Sequence, residues 1–190
     1  MVLLLVTQAF AAAWANVMTN EYDSPIVWST MPVPFEVNGA NTLGLDPDGV
    51  VFAAVSAAGA WLRVEGTEAE LNFTGSSSVT EPGHDGVNSI FFTTDWESDS
   101  SLLALTTVWS ETDGNAVGFD IRINARHHAW TLDGAEDPEM NDLQNTLTHE
   151  LGHAMGFGHL EDVPSATMYP SASAGETGKR DLDTADMELA

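Results

Sequence analysis

The chain of 190 residues contains no cysteine. Disulfide bonds, thiolate metal ligands and cysteine nucleophiles are therefore excluded, so a metal site here has to use histidine or carboxylate ligands. Basic residues are scarce: five Lys and Arg stand against 29 Asp and Glu, and the formal net charge is −24. A field of that sign repels nucleic acids and anionic lipids, so we expect neither as a partner.

The sequence also lacks an apolar run long enough to span a membrane as a helix. Its N-terminal segment, residues 1–15, is apolar from Val2 to Val6, and its end, Ala13-Trp14-Ala15, fits a signal-peptidase site. We predict that residues 1–15 are a signal peptide and that the protein is secreted. Because no Lys or Arg precedes the apolar run, a buried N-terminal helix is the alternative.

The rest of the chain reads as one globular domain of alternating strands and helices. Asp46-Pro47 and Asp137-Pro138 both combine an N-capping carboxylate with a proline at the first helical position, so each predicts the start of a helix. The predicted order is a strand at 33–38, a helix at 47–64, strands at 70–74, 88–94, 102–110 and 116–124, a helix from 137, and a short acidic helix near Asp183.

Three of the six histidines fall in one stretch of eleven residues. His149 and His153 are four positions apart, which places both imidazoles on one face of a helix. Gly156 can adopt the left-handed conformation that ends a helix, so the chain can turn and bring in His159. Three nitrogen ligands with one open position describe a hydrolytic zinc site, beside which Glu150 is a candidate general base.

A second motif, Thr167-Met168-Tyr169-Pro170, follows the third histidine after a short linker. The two motifs together resemble the metzincin metallopeptidases, and the second is similar to the Met-turn of the matrixin branch. Pro170 stands where other branches carry a tyrosine ligand, so the resemblance implies no fifth protein ligand. It implies these roles: zinc ligands His149, His153 and His159, general base Glu150, and Met168 as an apolar floor beneath the imidazoles.

The resemblance also implies an α+β metzincin fold. A twisted, mostly parallel five-stranded sheet would carry one antiparallel edge strand, a backing helix and an active-site helix. The catalytic domain would span residues 16–190, with an N-terminal subdomain to about residue 159 and a small C-terminal Met-turn subdomain over residues 160–190. Because the family's last helix runs beyond the position of Ala190, the resemblance implies a truncated C-terminus.

By the same resemblance, the segment 103–108 would be the cleft-side edge strand, which binds an extended peptide through main-chain hydrogen bonds. Ala104 and Leu105 would then contact the substrate. Tyr169 and Pro170 would form a wall of the pocket for the residue after the scissile bond.

These observations predict a secreted, monomeric zinc endopeptidase that acts on proteins or peptides through zinc-bound water and a glutamate base. The alternative is a secreted acidic binding or surface protein that keeps zinc as a structural staple. The acidic loop from Asp95 to Asp99 is a candidate calcium site, with a solvated loop as its alternative.

Overall fold

The computed structural model describes residues 16–190 except residues 65–69, 135, 136 and 138. The predicted signal peptide at 1–15 lies outside the described residues. The strands are β1 (Val33–Asn38), β2 (Leu71–Ser76), β3 (Ser89–Thr93), β4 (Ala104–Ser110), β5 (Ala116–Asn124), β6 (Trp130–Thr131) and β7 (Asn141–Asp142). The helices are α1 (Pro47–Trp61), α2 (Leu143–Ala154), α3 (Thr184–Met187) and a short 3-10 helix (Gly178–Arg180).

Five strands form one mixed sheet in the order β2-β1-β3-β5-β4. The pairs β1–β2, β1–β3 and β3–β5 are parallel, whereas β4 runs antiparallel to β5 at the edge. Helix α1 contacts β1 and β2, α2 contacts β4 and β5, and the two helices contact each other. This arrangement confirms the predicted fold class, including its single antiparallel edge strand.

Helix α1 is the backing helix, and its small side chains let α2 approach closely. Asp46 caps it as predicted, because its carboxylate accepts a hydrogen bond from Gly49 N at 3.2 Å. Trp61 at its end is buried and donates its indole N–H to the Thr148 carbonyl at 2.9 Å. In the part of the chain that the structure describes, no helix combines the length and apolarity needed to cross a membrane.

The predicted start of the second helix at Asp137-Pro138 is wrong. Helix α2 begins at Leu143, and its N-cap is Asp142, whose Oδ1 accepts a hydrogen bond from Asn145 N at 2.8 Å. The same buried carboxylate pairs with Arg180 at 2.6 Å. Asp142 therefore caps the helix and is itself paired with a residue 38 positions away. Asp137 instead accepts a hydrogen bond from Glu139 N in a turn.

Candidate metal centre

Helix α2 presents the first two predicted ligands, and the turn after it supplies the third. Gly156 has φ 98°, the left-handed conformation that the sequence predicts for it. The ligand nitrogens of His149, His153 and His159 all lie within 4.8 Å of one another. Among the described residues, this is the group of His, Cys, Asp or Glu side chains placed to hold one metal ion. Three imidazole nitrogens are a donor set that zinc accepts.

Two backbone carbonyls orient the helix histidines. Nδ1 of His149 lies 2.7 Å from the Thr167 carbonyl oxygen, and Nδ1 of His153 lies 2.8 Å from that of Phe157. An Nδ1–H that donates to a carbonyl leaves the Nε2 lone pair free to point at a metal. The Met-turn therefore holds His149 through Thr167 as well as lying beneath the site.

The surroundings keep the three imidazoles neutral. Burial, together with the neighbouring His153, lowers the pKa of His149 to about 3. Burial also lowers the pKa of His153 and of His159. Neutral imidazole is the form that binds a metal, so all three side chains are ready to ligate at neutral pH.

Glu150 is buried beside the histidines and is held by a residue of the edge strand. Thr106 Oγ1 donates to Glu150 Oε2 at 2.5 Å. Burial raises the pKa of Glu150 to about 7, while the Thr106 hydrogen bond and the nearby His159 act in the opposite direction. A carboxylate with this pKa is suited to exchange a proton near neutral pH. The sequence carried no signal for Thr106, because its contact depends on how β4 packs against α2.

The Met-turn is fixed by a buried carboxylate that sequence reasoning also missed. Asp186 Oδ2 accepts a hydrogen bond from Thr167 N at 2.7 Å, and Oδ1 accepts one from Met168 N at 2.9 Å. Asp186 also completes a capping box with Asp183 at the start of α3. The spacing of these two acidic residues, three positions apart, was the sequence signal that could have identified Asp186. Met168 is fully buried, and a Cβ at Gly152 would lie 2.3 Å from its sulfur, so the turn packs directly on α2.

Residues 16–18 form a strap that holds the turn carrying His159 in place through two backbone hydrogen bonds. Met18 N donates to the Gly156 carbonyl at 2.8 Å, and Gly158 N donates to the Asn16 carbonyl at 2.6 Å. A Cβ at Gly156 would lie 2.3 Å from the carbonyl oxygen of Ile26, which leaves room for glycine alone. The strap and the left-handed glycine together set where the third histidine falls.

A cleft of about 630 Å³ runs along β4 and over the histidines. All four residues predicted to contact substrate, Ala104, Leu105, Tyr169 and Pro170, line this cleft. Their contact with a substrate stays a prediction. Further lining residues that sequence reasoning did not single out include Met18, Thr146, Ala172 and Lys179.

The predicted calcium loop contributes no side chain to the metal-binding group described above. Asp99 accepts hydrogen bonds from the backbone N and the hydroxyl of Ser101, both at 2.8 Å, and these bonds lower its pKa. Calcium binding at this loop stays a prediction.

Comparison with known proteins agrees with the geometry. No curated protein sequence matches the chain. A model of the matrixins, peptidase family M10, matches residues 57–189, well over half of the chain and including both motifs. The chain therefore belongs to the matrixin family.

Proposed function

We propose that this matrixin is a secreted endopeptidase in which Glu150 is the general base. Membership of the family makes it a zinc metalloprotease that acts on proteins. The observation that carries the finer proposal is the placement of Glu150: its carboxylate is 7% exposed, next to three neutral imidazoles, and is held by Thr106. A site that used zinc only as a staple would close its fourth position and would need no such carboxylate.

The chain's own residues divide the chemistry between them. A zinc ion held by His149, His153 and His159 would supply Lewis acidity toward water and the scissile carbonyl. Glu150 takes the proton of the attacking water and passes it to the leaving nitrogen. The Thr106 hydroxyl orients the Glu150 carboxylate for both transfers.

The edge strand supplies the place for an extended peptide. Among the described strands, β4 pairs with β5 alone and leaves its outer backbone edge unpaired. Ala104 and Leu105 lie on this strand and line the cleft. A peptide that adds to β4 as a further strand would pass over the histidines, with Tyr169 and Pro170 beside the residue after the scissile bond.

Secretion is proposed from the N-terminal segment alone. Its apolar run and the small residues at Ala13 and Ala15 fit an export signal. Expression of the full chain in a secreting host, followed by N-terminal sequencing of the product, tests this proposal. A product in the medium that begins at Asn16 supports it, and an uncleaved product that stays in the cell contradicts it.

The peptidase proposal is tested by replacing the base. We expect the zinc-loaded protein to cleave casein or gelatin, and Glu150→Ala to lower kcat by about 10²- to 10⁴-fold, because the proton transfer is lost. Glu188→Ala, which removes an exposed carboxylate of the same type, is the matched control and should keep full activity.

Two results would contradict the proposal: an inert wild type that holds stoichiometric zinc, or equal cleavage by Glu150→Ala. Removal of zinc by a chelator distinguishes the proposed catalytic role of the metal from the alternative, a purely structural role. A structural site loses its fold when the metal is removed, whereas the proposed site should lose activity and keep its circular dichroism spectrum.

A further inference from the structure

The chain contains a single lysine, Lys179, and it is buried in the wall of the cleft. Its exposed fraction is 3%. A buried ammonium group is costly unless its three donors find acceptors, so its surroundings have to be specific. Burial indeed lowers the pKa of Lys179, and Glu176 acts in the opposite direction.

All three donors of this ammonium group have partners. Nζ donates to the carbonyl oxygen of Tyr169 at 3.1 Å and, by a short bond, to that of Ser171. The third partner is the carboxylate of Glu176, whose Oε1 lies 3.4 Å away. Because its donors are taken and its charge is balanced, Lys179 is not arranged to capture an anionic group of a substrate. Its bonds go instead to the backbone on both sides of Pro170.

The other end of Lys179 is tied to the active-site helix. Its backbone N donates to Asn145 Oδ1 at 2.7 Å, and Asn145 lies in the first turn of α2. The next residue, Arg180, pairs with the N-cap Asp142 through two hydrogen bonds of 2.8 and 2.6 Å. Lys179 therefore spans from the helix that carries the zinc ligands to the opposite wall of the cleft.

We propose that Lys179 is a positioning residue that sets the distance between α2 and the wall at Tyr169–Ser171. In this role it determines how selectively the enzyme accepts the side chain that follows the scissile bond. The inference rests on the proposed peptidase function, because it assigns that wall to the substrate. The loop from Pro170 to Thr177 contains no helix or strand, so without these bonds the wall has little regular structure to hold it.

The test uses Lys179→Met, which keeps a long apolar chain and removes the donors. Peptides that differ only in the residue after the scissile bond are cleaved by the zinc-loaded full chain. We expect KM for the preferred peptide to rise about tenfold, with kcat within about twofold, since the loss is in binding. Selectivity between large and small side chains should fall by a similar factor. Zinc content and the melting temperature are measured alongside.

Arg63→Met is the matched control. It removes a cation that pairs with Asp181, two residues from Lys179, at 3.1 Å, but both side chains are more than half exposed and neither lines the cleft. KM and selectivity should not change in this variant. If Lys179→Met fails to fold, Glu176→Ala is tested in its place. Glu176 forms an ion pair with Lys179 and also accepts a hydrogen bond from Ser173 N.

The outcomes are distinguishable. A wild type that cleaves no peptide contradicts the proposed function itself. An active wild type with unchanged KM and selectivity in Lys179→Met overturns the inference, as does a fall in kcat as large as the rise in KM. If Glu176→Ala is the variant tested, a rise in KM with reduced selectivity supports the inference, and an unchanged KM and selectivity overturn it.

Discussion

The sheet-and-helix body at residues 33–154 and the tail at residues 160–190 are held in place by different interactions. Within the described residues, the buried apolar cluster takes one member, Met168, from the tail. The other large buried groups of the tail are polar, among them Thr167, Lys179 and Asp186. Leu160, Leu182, Leu189 and Ala190 of the tail pack against this cluster but are only partly buried. The body therefore depends mainly on non-directional contacts, whereas the buried groups of the tail are held by a few directional bonds that also shape the site.

This difference matters for the candidate metal centre because its three histidines lie between the two regions. The body supplies His149 and His153 on α2, and the tail supplies the carbonyl of Thr167 that orients His149. A loss in the body should lower the free energy of unfolding without changing the site in molecules that remain folded. A loss in the tail should change metal affinity as well.

Ile121→Ala in β5 should have the largest effect on stability. Ile121 is fully buried in the sheet, so the variant loses the transfer energy of its side chain and leaves a cavity. We expect the free energy of unfolding to fall by about 3 to 4 kcal/mol in urea titrations. Zinc affinity of the folded protein, measured by competition with a chelator, should stay within about threefold. A tenfold loss of zinc affinity would contradict the proposed separation.

Unlike Ile121→Ala, the Asp186→Ala variant should lose metal affinity as well as stability. Two buried amides, those of Thr167 and Met168, would lose their acceptor, at a cost of about 2 to 3 kcal/mol in the free energy of unfolding. Because Thr167 orients His149, zinc affinity should fall by about 10- to 100-fold. Asp181→Ala, an exposed carboxylate paired with Arg63, is the control and should change stability by less than about 1 kcal/mol. Unchanged zinc affinity in Asp186→Ala would show that the tail does not control the site.

The same contrast explains how far the sequence predicts the structure. The bounds of β1 and β5 agree with prediction to the residue, since alternation and flanking turn residues define strands locally. The grouping of the three histidines was also predictable, because i and i+4 on a helix and a following glycine are local signals. The start of α2 was not, since Asp142 is selected over Asp137 by its pairing with the distant Arg180.

Thr106, Lys179 and Asp186 escaped prediction for a related reason. Each acts through hydrogen bonds to residues that lie far away in the chain or in a loop, and neither periodicity nor composition records such bonds. Apolar burial is a property of many positions, so a pattern reveals it. A directional polar bond belongs to two particular atoms, so the tertiary structure is needed to find it.

Glu150 allows a further effect to be measured: the dependence of stability on pH in the metal-free protein. Its pKa is raised to about 7 in the folded state, so its contribution is fully present below its ordinary pKa of 4.5 and is lost as pH rises through 7. His149, with its pKa lowered to about 3, acts oppositely: its contribution is present above 6.5 and is lost as pH falls toward 3. The difference between wild type and Glu150→Gln isolates the glutamate.

In the presence of a chelator, we expect wild type to lose about 3 kcal/mol of unfolding free energy relative to Glu150→Gln between pH 4.5 and pH 8. Urea titrations at fixed ionic strength measure this difference. Parallel pH profiles for the two proteins would mean that Glu150 is as well solvated in the folded state as in the unfolded chain. In that case the body does not bury this carboxylate, and the contrast between an apolar body and a polar tail would not extend to Glu150.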